Sequence, residues 1–328
     1  VSGTPDELDR QILHALQIEP RAAWTELAPV LGADAATLAR RWARLTEQGI
    51  AWSTGYPTDG PLAFLEVQCD LAHLTAVEEA ISTDPYATVV DFTSGSRDLL
   101  ILLHTPDFES ISSYVIDRLG ALQGVKSVQT HLSNELLVDA SNWRLRSLAP
   151  AQAAAIPRPR PPRPRASRHV PEELQRAIER EVHLDARVRI AAIAERSGFA
   201  PQRVADALAV LRATGALRLR IDIARTAFEW PVYTWYFIEA PARTIQAVRT
   251  SITTVPEVRI AFTAASRYNL ILAAWLRNLS DVTRFEVALE RALEGARIAD
   301  RAVVLRSSKH VARRISRDSR AAGLLPLP

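Results

Sequence analysis

The hexapeptide Glu7-Leu8-Asp9-Arg10-Gln11-Ile12 returns as Glu173-Leu174-Gln175-Arg176-Ala177-Ile178, and Gly32, Leu45 and Gly49 return as Gly198, Leu211 and Gly215, all 166 positions later. Self-similarity at one long offset means that a single supersecondary plan is used twice. After a small insertion the register resumes, with Pro85 matching Pro256 and Asp98-Leu99-Leu100-Ile101 matching Asn269-Leu270-Ile271-Leu272. The chain must therefore fold as two copies of one unit. Its 328 residues, 48% of them hydrophobic, are enough for several buried cores.

In the first copy, Leu8, Ile12, Leu13 and Leu16 follow helical spacing and predict a helix opening near Asp6. Residues 24–31 predict a second helix stopped by Gly32, and Asp34 is the expected N-cap of a third over 35–48, stopped by Gly49. Three helices with a tight turn before the last are the helix-turn-helix pattern, and 50–56 reads as its exit strand. From Pro61 the pattern becomes strand 63–69, helix 74–82, strand 88–93, a Gly95 turn, strand 98–104, helix 108–122 and strand 127–132. The second copy repeats it at 232–239, 242–254, 259–263, 269–276, 281–293 and 298–305.

The predicted fold class is α+β: two repeats, each a winged-helix-like helix-turn-helix domain followed by a ferredoxin-like βαββαβ domain. The expected boundaries are 1–56 and 61–140 for the first copy, a linker at 150–169, then 170–225, 231–306 and a basic tail at 307–328. A four-stranded sheet with helices on one side leaves its other face uncovered, so the βαββαβ domains are expected to pair through their sheets, within the chain or between chains.

Residues 1–149 sum to a charge of −10, whereas 150–169 and 306–328 contribute +5 each. The prolines of 150–169 lack donors, so this segment is read as neither helix nor central strand. As polyproline II, at about 3.1 Å per residue, it would separate the halves by roughly 60 Å. Arg158, Arg160, Arg163 and Arg165 alternate with proline there, a pattern that suits a narrow minor groove, general phosphate attraction or a plain spacer. The basic run 306–320 reads as a helical end or a solvated tail. Cys69 is the only cysteine, which excludes an internal disulfide and a multi-cysteine metal site and points to strand packing. No apolar run approaches the roughly 20 residues of a membrane span and no apolar leader opens the chain, so a cytoplasmic protein without membrane contact is expected. No metal or cofactor is expected.

On the third helix, Leu38, Trp42 and Leu45 gather on one side and Thr37, Arg40, Arg41 and Arg44 on another. A helix with one packing face and one cationic face suits the major groove, where arginine meets guanine edges or phosphates. The second copy holds Arg203, Asp206, Ala207 and Val210 in those places, which weakens it for a polyanion unless Arg212, Arg218, Arg220 and Arg225 near its exit compensate. The expected DNA contacts are Thr37, Arg40, Arg41, Arg44, Arg203, Arg218 and Arg220.

The phrases Leu8-Asp9-x-x-Ile12-Leu13-x-x-Leu16, Arg21 with Glu26-Leu27-Ala28-x-x-Leu31-Gly32, and Arg41-x-x-Arg44-Leu45-x-x-x-Gly49-Ile50 resemble, in order, the three helices of the leucine-responsive and asparagine regulator family, Lrp/AsnC. The resemblance implies a transcriptional regulator that binds double-stranded DNA, assembles as a homo-oligomer and answers to an amino acid or related small molecule. Usual members carry one unit per chain, so the fusion implies that one chain supplies the pair that two subunits normally make. The family's effector lies near a Gly-Asp-Tyr-Asp-like turn, which here reads Gly95-Ser96-Arg97-Asp98 and, in the second copy, Ser266-Arg267-Tyr268-Asn269. The resemblance implies Gly95, Ser96, Arg97, Asp98, Arg267, Tyr268 and Asn269 as effector residues, an arginine meeting a carboxylate and Asp98 an ammonium group.

Two alternatives stand beside this. Siroheme decarboxylases resemble tandem Lrp/AsnC units and use histidine and arginine to hold and protonate a carboxylated tetrapyrrole. Here 55–66 and 228–239 contain no histidine, and His73, His104 and His131 stand scattered without an obvious acid-base partner, so an enzyme is not expected. The other alternative is an assembly module that ignores DNA.

Overall fold

The computed structural model describes residues 4–248, 252 and 255–327, so the end of the predicted helix 242–254 lies outside the described residues. The first copy runs α1 (Glu7–Ile18), α2 (Trp24–Leu31), α3 (Ala35–Glu47), β1 (Ala51–Pro57), β2 (Leu62–Cys69), α4 (Leu74–Ser82), β3 (Ala87–Thr93), β4 (Leu99–His104), α5 (Phe108–Ser113) with a π-helical continuation, and β5 (Val125–Val138). A short α6 (Pro150–Ala155) precedes the second copy: α7 (Glu172–Leu184), α8 (Ile190–Ser197), α9 (Pro201–Thr214), β6 (Leu217–Ile223), β7 (Val232–Glu239), α10 (Ala242–Val248), β8 (Val258–Ala264), β9 (Leu270–Leu276), α11 (Ser280–Ala292) and β10 (Arg297–His310). Two compact units result. One gathers the chain up to Asp59, Arg144–Ala224 and the segment from Arg320 onward; the other holds Gly60–Trp143 and Arg225–Ser319. Among the described residues no helix is long and apolar enough to cross a membrane.

The first unit is made of both helix-turn-helices. Asp6 caps α1 by accepting from the Asp9 amide at 2.9 Å, Asp9 returns the bond to the Asp6 amide at 3.2 Å, and Asp34 caps α3 through the Thr37 amide at 2.8 Å. Ile12, Leu16, Leu27, Leu38 and Leu45 are buried in the first trio, and Ile178, Val182, Ile193, Leu208 and Leu211 in the second. The trios are joined by an antiparallel ribbon in which Ala51 faces Ile223 and Pro57 faces Leu217. Arg21 donates to the carbonyls of Ala186 and Val188 at 2.6 and 2.8 Å, and Arg187 donates to those of Pro20 and Ala22 at 2.5 and 3.1 Å. At the 166-residue offset these four bonds are the same two contacts made in both directions, the mark of an isologous pair.

The segment 150–169 differs from expectation. Pro150–Ala155 is helical, because proline at the first position needs no donor and the alanines and glutamine after it favour helix. Gln152 binds the Val30 carbonyl at 3.2 Å and Ile156 is buried, so the segment is fastened within the first unit and does not hold two modules apart.

The second unit corrects the picture of two ferredoxin-like domains. Its strands follow the closed order β10-β3-β4-β2-β5-β8-β9-β7 and back to β10, an eight-stranded barrel among the described residues. Closure depends on two strands longer than predicted: β5 pairs with β2 and then with β8, while β10 pairs with β7 and then with β3. The register is reciprocal, Ser133 facing Ala264 and Val304 facing Thr93, counterparts at an offset of 171. A barrel satisfies the edges that two separate sheets would expose. Outward residues such as Leu65, Val67, Cys69, Leu99 and Ile101 pack under α4 and α5, and Ile238, Leu270 and Leu272 pack with Phe285 and Leu289 of α11. Inward, Phe64 meets its counterpart Trp235 with ring centroids 4.5 Å apart. The expected tail at 307–328 is neither helix nor solvated end: β10 runs to His310, β11 (Arg313–Ile315) turns back on it, and Lys309 is buried, donating to the Asp84 carbonyl, with its ammonium pushed down to about 8 by burial.

Candidate functional site

Two sets of residues carry chemistry, one in each unit. On α3 the exposed stripe is Ala36, Arg40, Ala43, Arg44 and Glu47, with Thr37 half-buried beside it. Arg41 and Arg44 are held by the start of α1: Arg41 Nη1 lies 2.6 Å from Asp6 and 3.0 Å from Asp9, and Arg44 Nη2 lies 2.5 Å from the buried Asp9. The Arg41 guanidinium holds the Asp6 carboxyl below its usual range. Arg44 keeps about half of its side chain in solvent (48%) while Arg41 keeps 26%.

The second helix-turn-helix departs residue by residue. Ala207 and Val210, in the places of Arg41 and Arg44, are buried, and Arg203 lies over the Phe199 ring at 5.3 Å. Asp206, in the place of Arg40, accepts a two-pronged contact from Arg163, at 2.8 and 2.6 Å. The cations expected to compensate are engaged elsewhere. Arg220 is buried on the ribbon and paired with Asp222 at 2.5 Å, Arg212 is paired with Glu19 at 2.7 Å, and Arg225 is buried in the other unit. Arg218 faces Tyr56 across the ribbon. The expectation that Arg218 and Arg220 form a DNA surface is therefore corrected for Arg220, because the ribbon that pairs the two copies buries it.

In the barrel, Gly95 takes a φ of +101° in the β3–β4 turn, a conformation that suits glycine and that aims Arg97 inward. Arg97 is 5% exposed, ion-paired with Glu66 and, at 2.6 Å, with Asp300 of the second copy, and its guanidinium stacks on Phe237 at 4.3 Å. Its Nη1 has no hydrogen-bond partner among the described residues. Glu66 also meets His131 Nε2 at 2.6 Å, and His131 Nδ1 meets Ser266 at 2.9 Å. His131 is thus not scattered: strands β2 and β5 put it beside a carboxylate that lies 65 positions away in the chain. Glu66, Ser96, Arg97, Tyr268 and Asp300 line a cavity of about 170 Å³.

The remaining expected effector residues divide. Asp98 accepts from the Cys69 amide at 2.8 Å and Asn269, its counterpart, from the Ala240 amide at 2.9 Å, so both fasten a strand end. Arg267 is exposed and pairs with Glu239 at 2.7 Å. Glu66, His131 and Asp300 were missed. The available signal was Glu66, a single acid on the Phe64, Glu66, Gln68 face of an otherwise apolar strand. In the second copy the counterparts of Glu66, Arg97 and His131 are Phe237, Tyr268 and Ala302, and an aromatic pair, Phe237 and Tyr268 at 5.3 Å, replaces the ion pair. Among the described residues the chain therefore has one polar site of this kind, built from unlike halves.

The AsnC-type helix-turn-helix domain matches residues 6–46 and the Lrp/AsnC ligand binding domain matches 62–142. An HTH-type transcriptional regulator of Pyrococcus abyssi is 30% identical over 137 residues, 39% of this chain and 91% of that protein. One of Pyrococcus horikoshii is 23% identical over 147 residues, 42% of this chain and 89% of its own. The siroheme decarboxylase NirDL, solved in co-complex with an iron-uroporphyrin III analogue, shares the fold across 93% of both chains, with a TM-score of 0.59 and 17% identity. The polar turn, the three-helix head and the 91% coverage of a 30% identical regulator lead to one assignment: the chain belongs to the Lrp/AsnC family.

Proposed function

We propose that the chain is a transcriptional regulator that binds double-stranded DNA through its paired helix-turn-helices and holds one small effector in its barrel. The observation that carries this is the reciprocal contact of Arg21 and Arg187, which makes a two-fold pair of helix-turn-helices from one polypeptide. Two-fold pairs of such heads suit two half-sites on one duplex. Arg40, Arg44 and Thr37 are the contacts of the first head, with Arg41 as the residue that positions them from Asp6 and Asp9. Arg203 is a weaker contact of the second head. The protein acts in the cytoplasm, and whole chains associate further as homo-oligomers, which sedimentation would measure.

The test is a footprint with an affinity series at one fixed salt concentration. Arg40→Ala or Arg44→Ala is expected to cost about 1–3 kcal/mol where the side chain reads a base, and Arg203→Ala much less. Equal losses would overturn the unequal heads, and a wild-type chain that ignores DNA would overturn the function in favour of an assembly module.

For the effector, the cavity has the volume of an amino acid, the Arg97 guanidinium in its lining suits a carboxylate, and Tyr268 offers an aromatic edge. An amino acid or a related small carboxylate is the proposed ligand. A decarboxylase reading has the NirDL fold and the buried His131, which shares the Glu66 carboxylate with Arg97, in its favour. Against it, 170 Å³ lies below the roughly 300–1,000 Å³ of ordinary cofactor pockets. The reading is non-enzymatic, and an absorbance change with release of carbon dioxide on mixing with siroheme would reverse it.

A further inference from the structure

We propose that the proline- and arginine-rich segment 158–168 is a second DNA-contacting surface, clamped to α9 by Arg163 and presenting arginines to the phosphate backbone where α9 lacks them. This rests on the DNA-binding reading above. The second head has no Arg at the counterparts of Arg40, Arg41 and Arg44, and Asp206 alone would repel a polyanion. Arg163 cancels that charge with a two-pronged contact to both Asp206 oxygens, and Gln202 adds a bond at 3.3 Å.

The clamp fixes the rest of the segment. Arg158, Arg160, Arg165 and Arg168 are exposed, with Arg160 only loosely approached by Glu26 at 3.6 Å. Upstream, Ile156 is buried and Gln152 is tied to α2; downstream, the chain enters α7 three residues after His169. Pro157, Pro159, Pro161 and Pro162 keep the backbone extended as far as Arg163, where a turn closed by the Ala166 amide on the Arg163 carbonyl at 2.9 Å carries the chain through Pro164 and Arg165. A row of arginines on a backbone already fixed loses little freedom on meeting a polyanion, which favours binding. Duplex DNA is the partner that fits, since this row lies in the same compact unit as both helix-turn-helices.

The experiment measures affinity of the full chain for a mixed-sequence 40-base-pair duplex as a function of salt. The variants are Arg158→Gln/Arg160→Gln/Arg165→Gln/Arg168→Gln together, Asp206→Ala, and the exchange Arg163→Asp/Asp206→Arg. All changes are at solvent-accessible positions, and thermal melts check that each variant stays folded. The four-arginine variant is expected to lower the slope of log affinity against log salt by about 3 to 4, near 0.9 per lost phosphate contact. Asp206→Ala is expected to weaken binding severalfold by releasing the clamp, and the charge exchange to restore it. Removing an acid from a helix that faced DNA by itself would strengthen binding, so a tighter Asp206→Ala overturns the clamp. An unchanged slope, or tighter binding by the four-arginine variant, overturns the contact surface while leaving the helix-turn-helix reading in place. A wild-type chain with no salt-dependent affinity overturns both.

Discussion

Thr54 faces Arg220 across the β1–β6 ribbon, and Arg220 is Thr54's own counterpart, 166 positions later. A residue that pairs with its own repeat image marks the pseudo-two-fold axis of the helix-turn-helix unit. The register on either side follows from it, and every backbone pairing off the axis occurs twice, as Ala51 with Ile223 and Pro57 with Leu217.

Arg21 and Arg187 give the first prediction. Changing either to alanine leaves two carbonyls without their donors, and each change should cost about 1–3 kcal/mol in urea denaturation. Arg187 also lies over the Trp24 ring at 4.3 Å, whereas the counterpart of Trp24 is Ile190. Arg187→Ala should therefore cost more by about 0.5–1 kcal/mol. A loss confined to one arginine would contradict the reciprocal interface.

The barrel's unlike halves give the second. Glu66→Gln should destabilise by about 3–5 kcal/mol because it leaves the Arg97 charge under-compensated in a buried place. Replacing both with the second copy's residues, Glu66→Phe with Arg97→Tyr, should cost less than the single change, since Phe237 and Tyr268 already occupy the equivalent place. The same double variant should lose heat of binding for small carboxylates in calorimetry. A double variant less stable than Glu66→Gln would count against the symmetry argument.

Asp91 gives a pH dependence. It is fully buried, accepts from Trp235 Nε1 at 3.0 Å and Ser307 at 2.6 Å, and burial pushes its carboxyl up to about 6 despite those bonds and the nearby Arg225. The folded state holds this proton more tightly than the unfolded chain does, so the group's contribution is complete below the ordinary value near pH 4 and is lost as pH rises through about 6. Between pH 4 and 7, wild type should lose on the order of 2–3 kcal/mol relative to Asp91→Asn. A difference that stays constant over that range would refute the assignment.

His14 should show the opposite sign. Its Nδ1 accepts from the Leu148 amide at 2.9 Å, and burial, aided by Arg144 and Arg146, pushes the imidazole down to about 4. Here the unfolded chain takes up the proton first, so stability present above pH 6.5 is lost as pH falls toward 4. Relative to His14→Gln, wild type should weaken across that window, as thermal melts would record.

What the sequence revealed and what it concealed have a common cause. Spacing within a helix or a strand is local, so the trio 7–47 and the order of strands in each copy were legible from Leu8, Ile12, Gly32 and Gly95. The extensions of β5 and β10 were not, because Ser133, Glu135, Ser307 and Lys309 look like tail residues until a strand more than a hundred positions away pairs with them. The convergence of Glu66, Arg97, His131 and Asp300 was hidden for the same reason, since three strands and the β3–β4 turn must meet before these side chains do. Pro150–Ala155 was misread because its proline sits where a helix tolerates one.

Fusion of the two copies changes what concentration means for this protein. Where two separate chains must find each other, dilution favours the unpaired heads, and occupancy of a paired operator follows how much protein a cell has made. Joining them in one polypeptide gives each head a partner at an effective concentration on the order of millimolar, set by the chain between them. The paired heads stay assembled at any dilution, down to a single molecule per cell.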